Sequence, residues 1–311
     1  MDRRDFLKTL AVTGAVMTVQ SSEAMDVLAQ TFTNAGGNKV DLVAVMGGEP
    51  EAMFRRAIAE MGGMKSFIKP GQKVVVKPNI GWDKSPELAG NTNPKLITEI
   101  VKQCFAAGAK EVTVFDHTCD DWQKCYKNSG IEAAAKAAGA KVMPAHLESY
   151  YRNVSLPQGK KLKNAKIHEA ILNCDVWINV PVLKHHGGAQ LTISMKNHMG
   201  IVWDRGFFHQ NDLQQCIADI CTLQKKAVLN VVDAYRIVKT NGPQGRSASD
   251  VVLTKGLFIS QDIVAVDTAA AKFFNQIREM PLDTVGHLAN GEALKIGIMN
   301  LDKLNIKRIK I

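Results

Sequence analysis

Two short segments of the chain concentrate side chains that do chemistry in enzymes. They are Lys184-His185-His186, directly after the apolar segment 176–183, and Lys196-Asn197-His198. Charged and imidazole groups are costly to bury without partners, so such a concentration indicates a functional site. Lysines bind carboxylates and phosphates, and crowding lowers the pKa of an amine, which then serves as a base or nucleophile. Histidines serve as acid–base groups or metal ligands.

Polar residues also follow the other segments that the sequence predicts as buried strands, at 40–46, 73–76, 112–115 and 228–232. They are Gly47-Gly48, Lys77 and Asn79, Asp116 and His117, and Asp233. Because the carboxyl ends of parallel strands meet at one edge of a sheet, we expect a single cationic pocket there. Gly47-Gly48 would offer backbone N–H groups to an anion. The alternative, that polar residues simply mark strand ends at the surface, stays open. The expected catalytic set is Lys77, Lys184, Lys196, His185, Asp116 and Asp233.

The elements that position these residues alternate between strands and helices. A further strand is predicted at 176–183, and helices are predicted at 49–61, 95–107, 129–138, 212–225, 263–275 and 282–289. This alternation predicts an α/β fold, with a mostly parallel sheet and helices on both faces. Residues 40–311 are expected to form a single catalytic-type domain, although this length also allows two lobes.

Metal binding is an open alternative for the histidines. His186 and His198 are the candidate ligands, together with Asp116, His117 or Asp233. The cysteines form no Cys-x-x-Cys pair, which argues against a ferredoxin-type iron–sulfur cluster but leaves a divalent metal open. Cys119 and Cys125 are the plausible pair for a disulfide or a metal, and the sequence does not decide whether they pair.

The N-terminus resembles a twin-arginine export signal. Arg3-Arg4 precedes a short apolar run and a small-residue cleavage pattern near Ala24, so 1–24 are expected to be a signal peptide and 25–39 a linker. The apolar run is too short for a membrane span, so we expect no stable span after cleavage. The protein is then exported, periplasmic or otherwise extracytoplasmic, by the twin-arginine translocation machinery.

Composition narrows the class of partner. The 311 residues are 46% hydrophobic and 22% charged, as in an ordinary globular protein, and the net charge is +9. Three basic and three acidic residues cancel within 1–24, so the excess positive charge belongs to the remainder. Export and the scattered placement of basic residues argue against nucleic acid. A small anionic molecule is the expected partner.

Four ordered motifs resemble the family called domain of unknown function 362. They are Val76-Lys77-Pro78-Asn79, Thr92-Asn93-Pro94, the segment from Val180 to His186, and the segment from Met195 to Gly200. The resemblance implies that the site includes Lys77, Asn79, Asn93, Lys184, Lys196, Asn197 and Gly200. The family's biochemical role is largely unassigned, and the iron–sulfur clusters of many relatives are not implied here, because this chain lacks their cysteines.

The leading functional hypothesis is an exported α/β enzyme that acts on a small anion. Lysines bind the charge, a histidine is the acid–base group or metal ligand, and aspartates orient both. A metal-assisted, redox or isomerisation step is compatible with these residues. The alternative is a non-catalytic carrier that holds a metal or small cofactor outside the cytoplasm, and the sequence leaves open whether the protein is an enzyme.

Overall fold

The computed structural model describes residues 39–311. The predicted signal peptide at 1–24 and the predicted linker, up to residue 38, lie outside the described residues. The strands of the main sheet are β1 (Leu42–Met46), β2 (Lys73–Pro78), β3 (Glu111–Val114), β4 (Lys141–Val142), β7 (Val176–Val180), β8 (Val182–His186), β9 (Gln190–Thr192), β10 (Leu229–Val238), β11 (Val251–Ser260) and β12 (Ile306–Lys310). A separate hairpin consists of β5 (Tyr151–Ser155) and β6 (Asn164–His168).

The main sheet has the order β12-β1-β11-β10-β7-β2-β3-β4, and β8 pairs with both β10 and β9. Neighbours on the β10-β7-β2-β3-β4 side are all parallel. Antiparallel pairing is confined to β1 with β11, β10 with β11, and β8 with β9 within this sheet. The carboxyl ends of β2, β3 and β7 therefore meet at one edge of the sheet, as the sequence pattern predicts.

Helices cover both faces of the sheet, which confirms the predicted α/β class. The helices are α1 (Pro50–Glu60), α2 (Pro94–Ala106), α3 (Trp122–Asn128), α4 (Ile131–Ala137), α5 (Glu169–Asn173), α6 (Ser194–Asn197), α7 (Gly206–Gln210), α8 (Leu213–Ile220), α9 (Ile263–Ile277) and α10 (Gly286–Ala293). Alternate side chains of β1 enter two different apolar cores, because successive side chains of a strand point to opposite faces. Helices α1, α2 and α4 contribute to one core, and α8, α9 and α10 to the other. Within residues 39–311, no helix combines the length and apolar character that crossing a bilayer requires.

The strand predicted at 176–183 is two strands, β7 and β8, separated by Pro181. Proline has no N–H to donate to a sheet and holds φ near one value, so the chain changes partners there. Strand β7 pairs with β2 and β10, whereas β8 pairs with β10 and β9. This change of partners brings the end of β8 back over the edge of the sheet.

The predicted helix 282–289 begins later and runs through Asn290-Gly291, which the sequence pattern predicts as its stop. A Cβ atom on Gly291 would lie 2.7 Å from Cε of Met195 and 3.0 Å from Cγ2 of Val264. The glycine is therefore required inside the helix, where α10 packs closely against α6 and α9, rather than at its end. The helix predicted at 129–138 is α4, which begins after Gly130 with φ of 71°, and the short helix α3 that precedes it was not predicted.

Candidate functional site

A cavity of about 480 Å³ lies at the carboxyl edge of β2 and β3 and is covered by β8, β9, α6 and α7. Nine of the residues predicted from the sequence line it: Lys77, Asn79, Asp116, His117, Lys184, His186, Lys196, Asn197 and Gly200. Its other walls include Trp82, Cys119, Thr192, Met199, Arg205, Gly206, His209 and Pro243. Residues far apart in sequence thus line one cavity, which we call the anion pocket.

A buried ion pair forms the floor of the anion pocket. The Lys77 ammonium lies 2.8 Å from Asp116 Oδ1, and the two side chains are 0% and 2% exposed. Lys77 also donates to the backbone and side-chain oxygens of Asn197, at 2.7 and 2.9 Å, and Asp116 Oδ2 accepts from the Ile80 N–H at 2.6 Å. Burial lowers the pKa of Lys77, and the Asp116 charge opposes that shift. Because this pair neutralises itself, other cations are left to bind an anion.

Lys184 is a buried lysine without a carboxylate partner. It is 1% exposed, and no Asp or Glu of residues 39–311 lies within ion-pair distance of its ammonium. Its Nζ instead donates to Asn79 Oδ1 at 3.0 Å and to the Gly90 carbonyl. Burial lowers the pKa of Lys184 to about 7, and the neighbouring charge of Lys196 adds to this shift. This amine therefore loses its proton far more readily than that of an ordinary lysine.

A chain of amide side chains fixes the group that faces Lys184. Asn79 Nδ2 donates to Asn197 Oδ1 at 3.0 Å, Asn197 Nδ2 to Asn179 Oδ1 at 2.8 Å, and Asn179 Nδ2 to Asn230 Oδ1 at 3.0 Å. Asn230 Nδ2 ends the chain on backbone carbonyls next to β11, at 3.3 and 3.4 Å. Each amide has one donor end and one acceptor end, so the chain presents the oxygen of Asn79 to Lys184.

Lys196 and Arg205 lie on the walls of the anion pocket, and neither pairs with a carboxylate of residues 39–311. Within the part of the chain that the structure describes, the Lys196 ammonium is placed 3.6 Å from Met199 Sδ and forms no ion pair. Burial lowers its pKa to about 8, with the charges of Arg205 and Lys77 in the same direction. Arg205 is held by the His117 and Thr118 carbonyls, at 2.9 and 2.6 Å, and by Cys119 Sγ at 3.3 Å. Of residues 39–311, Asp116 is the one carboxylate that lines the pocket, so cations exceed anions among these lining residues.

His186 faces the anion pocket as a neutral ring. Its Nδ1 accepts from the N–H groups of Gly188 and Ala189, at 3.1 and 3.0 Å, which leaves the proton on Nε2. Burial lowers its pKa to about 2, and the charges of Lys196 and Lys184 contribute. His186 is therefore a hydrogen-bond donor toward the pocket rather than a base at neutral pH.

His185 and Asp233 do not line the anion pocket, in contrast to the prediction. Successive residues of β8 face opposite ways, so His185 points away from Lys184, and its Nδ1 accepts from the Gly242 N–H at 2.9 Å. Asp233 is buried, and its carboxylate accepts from the backbone N–H groups of Asn93 and Tyr235, at 2.7 and 3.0 Å. Desolvation raises its pKa to about 6. Asp233 holds the loop before α2 in place.

Three other predicted binding residues also lie outside the pocket. Asn93 caps α2, and its side chain accepts from the Lys95 N–H at 3.0 Å. Gly47 and Gly48 end β1, which is separated from β2 by β11, β10 and β7. Cβ atoms at both glycines would collide with Ile311, so these residues make room for the chain after β12 and not for an anion.

The two histidines predicted to hold a metal are not neighbours in the pocket. His198 is 5% exposed, its ring lies 4.9 Å from that of Trp177, and its Nδ1 lies 3.3 Å from Cys221 Sγ. Burial lowers its pKa to about 3. Among residues 39–311 no three His, Cys, Asp or Glu side chains are grouped to hold one metal ion. Cys119 and Cys125 are not bonded to each other: the first contacts Arg205, and the second is buried against Gly81.

Sequence reasoning missed Arg205, Asn179 and Asn230. The two asparagines stand inside segments predicted as apolar strands, and a buried amide needs partners, so their positions were a usable signal. Arg205 follows the Met195–Gly200 motif in a region without a predicted element, and nothing in the sequence distinguishes it from a surface arginine.

Comparisons with known proteins agree with the predicted resemblance. The family model for Domain of unknown function (DUF362) matches residues 74–272. A thylakoid-associated protein of Synechocystis sp., sll1697, is 23% identical over 223 residues, which cover 70% of this chain and 67% of that protein. The lactate racemase apoprotein from Thermoanaerobacterium thermosaccharolyticum superposes with a TM-score of 0.46 at 13% identity, over 79% of this chain, which spans 59% of that protein. Since the family match covers more than half of the 311 residues, this protein belongs to the DUF362 family.

Proposed function

We propose that this protein is an enzyme that binds a small anionic substrate in the anion pocket and moves a proton with the amine of Lys184. The observation that carries the proposal is the bonding of that amine. A neutral amine has two N–H donors and one lone pair, and the two acceptors around Lys184, Asn79 Oδ1 and the Gly90 carbonyl, match the two donors. The lone pair is then available to the pocket that Lys184 lines.

The pKa of Lys184 supports a role as general base. An amine with a pKa of about 7 is largely neutral slightly above that pH and still basic enough to accept a proton. Lys77, in contrast, is paired with Asp116, and His186 uses its basic nitrogen on backbone N–H groups. Lys184 is therefore the pocket residue best arranged to take a proton from a bound molecule.

Lys196 and Arg205 support the choice of an anionic substrate. Both line the same cavity, and neither is paired with a carboxylate of residues 39–311. A carboxylate or phosphate that reaches both side chains gains charge-assisted hydrogen bonds. The anion also favours the protonated form of Lys196, so one lysine binds charge while the other accepts the proton.

Hydrogen–deuterium exchange at carbon tests this function. The purified protein is incubated in D2O with a panel of small carboxylates and phosphates, and loss of carbon-bound protons is followed by NMR. We expect exchange that rises through about pH 7 as Lys184 loses its proton, that is lost in Lys184→Met, and that persists in the exposed-lysine control Lys102→Met. Anion binding without exchange would instead identify a carrier, and absence of any binding would reject the anionic substrate.

We further propose that the protein works outside the cytoplasm after export by the twin-arginine machinery. The support is the sequence Arg3-Arg4-Asp5-Phe6-Leu7-Lys8 with the apolar run and cleavage pattern that follow it. Fractionation of cells that express the full chain tests this. Replacement of Arg3 and Arg4 by lysine is expected to leave the protein in the cytoplasm, and equal export of both proteins would exclude this route.

A further inference from the structure

A second cavity of about 650 Å³ adjoins the anion pocket. It lies between the β5–β6 hairpin and the segment that leads into α7, and Arg205 and Gly206 line both cavities. Its apolar walls come from Leu162, Val202, Trp203 and Phe207. A ligand whose charged end occupies the anion pocket can therefore extend past Arg205 and Gly206 into the second cavity.

Trp203 presents a fixed aromatic surface to this second cavity. Its ring is stacked on His117, with 5.2 Å between ring centroids and 2° between planes, and the Tyr151 ring lies 5.4 Å away. His117 is itself held by a contact of 2.9 Å between its Nδ1 and the Val202 carbonyl. His117 lines the anion pocket while Trp203 lines the second cavity, so the stacked pair spans both. Trp203 and Phe207 are only half-buried, which leaves ring surface for a ligand.

Arg205 lies where the two cavities meet, since it lines both. Three contacts hold its guanidinium against the 117–119 loop, so its position does not depend on a bound ligand. Gly206 also lines both cavities and places no side chain between them. A Cβ atom there would contact only the Asp204 and Gln210 side chains.

We infer that the substrate is an anion that carries a flat, apolar group, and that this group is seated against Trp203 and Phe207. The inference rests on the proposed function, because the anion pocket holds the charged end. The inference specifies the part of the substrate outside the anion pocket. This part is an aromatic or similarly planar group and not a second charged group. Glu148, Lys166 and Asp204 also line the second cavity, but Glu148 and Lys166 are partly exposed and pair with each other, and Asp204 accepts from the Phe207 N–H.

Calorimetric titration with matched probes tests this inference. Inorganic phosphate is compared with phenyl phosphate, and acetate with phenylacetate, so that the two arms also distinguish phosphate from carboxylate recognition. In at least one arm we expect the aromatic probe to bind about tenfold more tightly or better, since a tenfold gain corresponds to the contribution of one well-placed ring.

Variants of the aromatic surface identify where the ring binds. In the wild type, the aromatic probe is expected to bind more tightly than the matching simple anion. Trp203→Ala and Phe207→Ala are each expected to reduce this difference in affinity to about twofold or less. The matched control is Trp122→Ala. Trp122 is also half-buried and stacked on a histidine, His146, at 4.5 Å and 3°, but it lies at neither cavity, so the difference is expected to persist.

The outcomes separate this inference from the proposed function. Simple anions that bind as tightly as their aromatic counterparts in both arms overturn the inference and leave the anion pocket standing. An aromatic advantage that survives both Trp203→Ala and Phe207→Ala overturns the assignment to the second cavity. If no probe binds, both proposals fail. Gly206→Leu provides a check that leaves the aromatic walls intact, and it is expected to weaken the aromatic probe more than the simple anion.

Discussion

Lys184→Met is expected to flatten the dependence of stability on pH above neutrality. The unfolded chain holds the Lys184 proton up to about pH 10.5, whereas the folded protein releases it near pH 7. The unfolded state therefore binds more protons between these values, so the wild-type protein gains stability as the pH rises through this window. At pH 7 and below, burial of the charge costs about 5 kcal/mol. Between about pH 7 and pH 9, we expect Lys184 alone to add about 2 kcal/mol to the free energy of unfolding.

Urea-induced unfolding, followed by tryptophan fluorescence at several pH values, measures this effect. The difference between wild type and Lys184→Met is expected to change by about 2 kcal/mol across that range, because the methionine variant has no proton to release. Lys196 is present in both proteins, so its own titration largely cancels. Lys102→Met, at an exposed position on α2, is the control and is expected to follow the wild type. Parallel curves for wild type and Lys184→Met would refute the assignment of a neutral amine.

Three further perturbations have defined outcomes. Gly200→Ala places a Cβ atom against both members of the buried ion pair. We expect the free energy of unfolding to fall by about 3–5 kcal/mol and phosphate binding, measured by calorimetry, to be lost. Gly187→Ala is the control and is expected to change little, because no described atom lies within 4 Å of its Cβ position. His287→Gln is expected to be more resistant to acid than the wild type. Burial lowers the pKa of His287 from 6.5 to about 3, so the free energy of unfolding of the wild type falls by about 3 kcal/mol between pH 6.5 and about pH 4. The variant lacks this loss, which acid unfolding followed by circular dichroism measures. Asp267→Ala removes the carboxylate that accepts from the first two N–H groups of α6, at 2.8 and 2.7 Å, and is expected to cost about 3 kcal/mol in urea unfolding and weaken phosphate binding.

Each of these expectations has a result that contradicts it. Equal stability of the Gly200 and Gly187 variants would show that the ion pair tolerates displacement. Coincident acid transitions of wild type and His287→Gln would show that this histidine is protonated in the folded protein. Unchanged phosphate affinity in Asp267→Ala would show that the position of α6 does not control Lys196.

The parallel half of the fold could be predicted from the sequence. Runs such as those that form β2, β3 and β7 are β-branched and buried on both sides, so composition alone identifies them. Strand β12 was not predicted, because three of its five residues, Ile306–Lys310, are basic and lack the alternation of a half-buried strand. The β5–β6 hairpin was missed for a similar reason, since half-exposed strands give a weak pattern.

The sequence predicted the site residues that follow converging strand ends. It did not predict which residues are excluded from the pocket because their side chains point to the other face. Lys77 and Lys184 were located because both belong to strands that end at the same edge. His185 was misplaced although the alternation of residues along a strand already assigns it to the face opposite Lys184. The glycines after β1 were misplaced because sheet order, which separates β1 from β2, depends on long-range pairing that no local pattern records.

The chain of asparagines from Asn230 to Asn79 links Lys184 to residues far from it. These residues help to determine whether the amine of Lys184 faces an amide oxygen or an N–H2 group. Reversing any one of these amides sets two oxygens or two N–H2 groups against each other, so they are turned all one way or all the other. The carbonyls of Ser260 and Gln261 can accept hydrogen bonds only from the Nδ2 group of Asn230. This fixes the orientation of each following amide, so that the oxygen of Asn79 faces Lys184. The backbone at the far end of the network and the Lys77 ammonium, which donates to Asn197 Oδ1, therefore impose the same orientation, in which the amine of Lys184 meets an acceptor.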